Sequence, residues 1–114
     1  MTLNGSCDAL RDLLVAAGIV NVTDDPRNVI PPGVLLGMPA ALLPAPCGSM
    51  GSVSVWVLSV PPGNLDARVD LLDRVDAVAA ALGSGWTRAD EGTFFPVDGG
   101  PGLPGYRFTV PITS

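Results

Sequence analysis

Residues 52–83 read SVSVWVLSVPPGNLDARVDLLDRVDAVAAALG. Ser52 to Val60 is rich in β-branched side chains and is bounded by Gly51 and Pro61, the composition of a strand. Val53, Val55 and Val57 point one way and Trp56, Leu58 and Val60 the other, because successive strand side chains alternate between faces. Both faces are apolar in the second half, as a central strand covered on both sides requires. After Pro61-Pro62-Gly63 the pattern changes to a helix from Leu65 to about Leu82, with Asn64 as the expected N-cap. Leu65, Val69, Leu72, Val75, Ala79 and Leu82 form a stripe at helical spacing, Leu71 and Val78 widen it, and Gly83 ends it. Asp66, Asp70, Asp73 and Asp76 fall mostly on the opposite side, with Arg74 one turn beyond Asp70 and placed to pair with it.

Upstream, a first helix is expected from about Leu3 to Ala17, capped by Asn4 or Ser6. Leu3, Leu10, Leu13, Leu14 and Ala17 share a face, and Gly18 is the natural stop. Ile19 to Thr23 reads as a short strand, Asp24-Asp25-Pro26 as a turn, Asn28 to Ile30 as extended chain, and Val34 to Leu36 as a second short strand. Met38 to Met50 is broken by Pro39, Pro44 and Pro46 and reads as an apolar loop. Its Met38, Leu42, Leu43 and Met50 either fold over the core or pack on a neighbouring subunit, and the same two readings hold for Trp56.

Downstream, Gly85 to Ala89, Gly92 to Val97 and Tyr106 to Ile112 are strand candidates. Asp90-Glu91-Gly92 reads as the turn joining the first two, and Asp98 to Gly105 as a long connector. In the last strand Tyr106, Phe108, Val110 and Ile112 alternate with Arg107, Thr109 and Pro111, so one face is buried. The expected order is α-β-β-β-α-β-β-β. The helices are too few to shield each other, so the fold class is α+β, with two helices packed on one mixed or antiparallel sheet. The 114 residues make a single domain, 1–114.

Composition narrows the function. Six Arg face eleven acids, with no Lys and no His, for a net charge of −5. The Arg are scattered at 11, 27, 68, 74, 88 and 107, so the basic stripe of a phosphate-neutralising nucleic-acid reader is missing. General-base chemistry by His and Schiff-base chemistry by Lys are excluded outright, and a Ser or Cys nucleophile would lack its usual partner. The paired acids at 24–25 and 90–91 sit at expected turns, and 98–105, DGGPGLPG, lacks the Lys and the following helix of a phosphate loop. Cys7 and Cys47 lack the spacing and His partners of a metal site and read either as two reduced thiols or as one disulfide. No cofactor or metal is expected. The N-terminus has no basic, apolar leader pattern, and no apolar run is long enough to cross a membrane. These features point to a protein that works by assembling with other protein rather than by catalysis. The acidic row Asp66, Asp70, Asp73 and Asp76 is either a solvated helix face or a functional acidic surface.

The chain resembles the tail terminator proteins of long, non-contractile-tailed bacteriophages, the lambda-like family. The resemblance rests on the opening helix followed by IVNVTDDP and RNVIPPGVLL, on SVSVWVLSV leading into NLDARVDLLDRVDAVAAALGSGW, and on WTRADEGTFFPVDGG with LPGYRFTVPI at the end. It covers nearly the whole chain in order and length. It implies a structural virion protein with no catalytic residues. Such a protein forms a homohexameric ring that caps the tail tube, ends tube polymerisation and presents the head-joining surface. The implied partners are copies of itself, the tail-tube protein and a head-connector or head-closure protein, with DNA passing through unread. Other neck proteins, such as head-closure or connector subunits, share much of this look, and a small acidic protein-binding module of bacterial origin is the remaining alternative. On the ring reading, Met38, Leu42, Leu43, Met50 and Trp56 are candidates for a subunit or tube interface. The acids of the second helix would be a surface that repels DNA if they line the lumen.

Overall fold

The computed structural model describes residues 2–30, 32–45, 48–59, 65–96, 99 and 102–113, with the side chains of 41, 45 and 65–67 outside that description. Two helices lie on one face of a six-stranded sheet: α1 (Leu3–Ala16) and α2 (Leu65–Leu82). The strands are β1 (Val22–Thr23), β2 (Gly33–Leu36), β3 (Ala40–Ala45), β4 (Gly48–Leu58), β5 (Arg88–Phe94) and β6 (Leu103–Thr113), with a 3-10 turn at Pro26–Asn28. The sheet order is β1-β2-β4-β6-β5, and β3 also pairs with β4. β1 runs parallel to β2 and the other pairs are antiparallel, so the sheet is mixed and the fold is α+β as expected.

β4 is the central strand. Its ladder with β6 runs from Met50–Thr113 to Leu58–Gly105. On its other side it holds both β2 and β3, one beyond the other. The order is therefore α-β-β-β-β-α-β-β, with one strand more before α2 and one fewer after it than the sequence suggests. The segment 38–50, expected as a loop, is a β-hairpin arm formed by β3 and the start of β4. Proline permits this because β3 is an edge strand, where an N–H can be spared. A bulge between Ala40 and Leu43 carries Leu42 across Gly51, where a Cβ would come within 2.7 Å of the Leu42 Cδ2; glycine on the opposing strand makes room for the bulge. At the other edge, Asp90-Glu91-Gly92 is not a turn. It continues β5 against Arg107, Tyr106 and Gly105, and charges in an exposed edge strand discourage further pairing. Leu103–Gly105 likewise belong to β6, not to the connector. Ile19 to Thr23 shrinks to the two residues of β1, and Asn28 to Ile30 forms no strand.

The core follows the register. Val34, Leu36, Val53, Val55, Val57, Phe108, Val110 and Ile112 form a buried layer beneath Leu10 and Leu14 of α1 and Leu71, Val78 and Leu82 of α2. Phe108 is fully buried and meets the edge of Trp86 at 5.0 Å. On the opposite face Leu35, Leu58 and Leu103 form a smaller cluster with Val29, Trp56 and Phe94, which confirms that the second half of β4 is covered on both sides.

The helix faces are rotated from those read in the sequence. In α1 the buried line is Leu10 and Leu14 with Leu3 and Cys7 packed beside them, and Leu13 is exposed. In α2 it is Leu71, Val75, Val78 and Leu82, and Val69 and Leu72 are exposed. The N-cap of α1 is Thr2, whose Oγ1 accepts the Gly5 N–H at 3.0 Å, rather than Asn4 or Ser6. Ser6 instead donates to the Thr113 carbonyl, tying α1 to the end of β6. The expected α2 cap, Asn64, lies outside the described residues. Gly18 ends α1 with φ +84°, donating to Val15 while Ile19 donates to Leu14, and Gly83 follows α2 with φ +59°; both conformations favour glycine.

The rotated stripe has a measurable consequence. In urea unfolding of dilute protein, Leu71→Ala should cost about 2–4 kcal/mol, as expected for truncating a buried leucine, whereas Leu72→Ala should cost less than about 1 kcal/mol. Equal losses would contradict the assignment of faces.

Candidate functional site

Two surface features stand out, an arm and a groove. The arm is the β3–β4 hairpin. Among the described residues β3 pairs with β4 alone, so its outer edge is open. Beyond Met50–Thr113, β4 has no β6 partner, so Gly48 and Ser49 extend past the end of the sheet with β3 beside them. Met38, Leu42, Leu43 and Met50 all lie on this arm; Met38 is 88% exposed, Leu43 58% and Leu42 50%. The register sets Leu43 directly across from Met50. No charged side chain occurs from Asn28 to Leu65, a run that contains the whole arm. Natural edge strands usually carry charges to prevent association. β5 has Arg88, Asp90 and Glu91, whereas β3 has only Pro44.

Trp56 is not part of that patch. It sits across from Leu35, near the other end of β4. Its ring lies 5.9 Å from that of Phe94, with the Arg107 guanidinium stacked at 5.8 Å. A Cβ on Gly92 would stand 3.4 Å from its indole, so the ring rests over that glycine and belongs to the smaller core cluster. The structure thus gathers four of the five expected interface residues and assigns the fifth to packing.

The groove runs between α2 and the segment that follows α1. Ile19, Val20, Val34 and Ala77 supply apolar walls, Asp70 and Asp73 stand at its border with Arg74, and Gly18 closes one end, around about 270 Å³. That is below the roughly 300–1,000 Å³ of pockets that take drug-sized ligands, so its size suits side chains better than a cofactor. Asp70, Asp73 and Asp76 are exposed on α2, and Arg74 Nε pairs with Asp70 at 3.0 Å, as the spacing predicted. Exposed pairs of this kind contribute little stability. The Asp66 side chain lies outside the described residues. The sequence reading missed the groove because it assigned Ile19 and Val20 to a strand. The exposed Val20, Val69 and Leu72 are its signal in retrospect, since apolar positions beyond the helix's buried line have no core to enter.

Other polar groups serve local structure. Arg11 bridges Asp8, Asp12 and Asp24 at 3.5, 3.7 and 3.1 Å. Asp25 caps the 3-10 turn, and its carboxyl is held below the ordinary value by hydrogen bonds from the Arg27 side chain and then from the Arg27 backbone N–H. Among the described residues no three His, Cys, Asp or Glu side chains gather to hold a metal ion, and no helix is long and apolar enough to cross a membrane. Cys7 lies half-buried in α1 and Cys47 lies outside the described residues. No protein-family model matches the chain, and no curated protein matches it.

Burial, then the neighbouring Asp8 and Asp24 charges, push the Cys7 thiol above its ordinary 9.0. In a Cys47→Ala chain, iodoacetamide should therefore label Cys7 slowly at pH 8, where less than about one-tenth is thiolate, and faster as the pH climbs past 9. A native rate equal to that in urea would contradict this environment.

Proposed function

We propose that the chain is a structural, non-catalytic virion subunit that assembles into a ring with copies of itself. On the resemblance, that ring is a phage tail terminator. It caps the tail tube, ends its polymerisation and offers the surface that joins the head. The observation that carries the assembly reading is the arm: an uncharged, apolar hairpin whose edge strand is open, on a chain with net charge −5. A subunit meant to remain alone would leave that surface open to nonspecific association. The specific role rests on the resemblance, which includes the strand-to-helix segment now seen as β4 followed by α2. Site chemistry supports a structural role, since the sequence contains neither His nor Lys. DNA would pass through such a ring without being read, in keeping with an acidic chain that has no basic stripe.

The test is to add the purified chain to polymerising tail-tube protein from the same phage and examine tubes by negative-stain microscopy. A terminator stops elongation and places a ring at one tube end. Tubes that grow to the same lengths with bare ends, while the chain binds isolated head connectors, would assign it to the head side of the neck instead.

A further inference from the structure

Arm and groove are complementary surfaces of the same chain. We propose that the β3 arm of one copy seats in the groove beside α2 of a second copy, joining subunits head to tail. This deepens the ring reading and rests on it. Leu42 and Leu43 are the exposed aliphatic side chains of the arm, and Ile19, Val34 and Ala77 line the apolar part of the groove. The arm cannot fill its own groove. Val34 of the groove pairs with Val57, and Leu43 of the arm pairs with Met50, so seven residues of β4 separate them, about 23 Å at the rise of a strand.

Charge identifies the occupant. Two copies at −5 each repel one another, and Asp70 and Asp73 stand at the border of the groove. The uncharged run from Asn28 to Leu65 is the part of this chain that can cross such a border without like-charge repulsion. Side chains rather than edge hydrogen bonds carry the contact, because Pro44 in the middle of β3 has no N–H to donate. Since the two surfaces differ, the contact is heterologous, and contacts of that type close into rings.

The test uses site-directed disulfides in a Cys7→Ala, Cys47→Ala chain. Leu43→Cys chains are mixed with Ala77→Cys chains, and separately with Glu91→Cys chains at the β5 edge. After mild oxidation, covalent dimers are read on non-reducing gels beside the native mass of the parent chain. A 43–77 dimer, and a ladder of larger species when both cysteines share one chain, is the expected result. Filling the groove with Ala77→Trp, at an exposed helix position, should raise the concentration for half-dissociation about tenfold or more without changing the circular dichroism spectrum. An oligomer that forms 43–91 or 43–43 dimers instead, or that tolerates Ala77→Trp unchanged, overturns the arm-in-groove contact while leaving the ring reading in place. A parent chain that stays monomeric overturns both.

Discussion

The fold depends on a single strand being able to pair on both sides along its whole length. β4 holds β6 on one side and β2 and β3 on the other, and its Val53, Val55 and Val57 are buried in the layer that both helices cover. Remove that strand and β2 and β3 lose their antiparallel partner, β6 and β5 detach as a hairpin, and α1 and α2 have no floor. Its composition suits the position. β-branched residues fit a pleated surface packed on both faces, and glycine appears where the arm's bulge crosses it, at Gly51. The same strand connects core to surface, since its second half is core and its first residues belong to the arm.

The parts of the fold that were legible in the sequence are those with a strong period and one environment. The valine alternation of β4, the alternation of β6 and the extent of α2 were all readable, because burial on one face dictates every second or every third and fourth residue. The rest was hidden by competing physics. Val69 and Leu72 lie at helical spacing as well as Leu71 and Val78 do, and only the sheet decides which line turns inward. Pro39, Pro44 and Pro46 read as loop residues, yet an edge strand tolerates proline. Asp90-Glu91-Gly92 has turn composition, yet an edge strand also favours charge. Both misread segments are therefore strands at the rim of the sheet, where the sequence rules for strands and for loops converge.

The candidate site was legible in part for the same reason. Met38, Leu42, Leu43 and Met50 stood out as apolar residues without an evident core, and the structure leaves them on a common exposed arm. Trp56 carried the same sequence signal but has neighbours in Phe94, Arg107 and Leu35 that no local pattern reveals. The groove could not be read because it is made by three segments distant in sequence. What the arm and groove share is that each is apolar, exposed and separate from the other, which is the arrangement of a repeating contact rather than of an enzyme pocket.

The central claim is that this chain functions as an assembled subunit, and its mass in solution bears on that most directly. Native mass spectrometry across a wide concentration range should give a discrete closed oligomer of the 11.6 kDa chain, six-fold if the terminator resemblance holds. A single monomeric mass at every concentration would contradict the account.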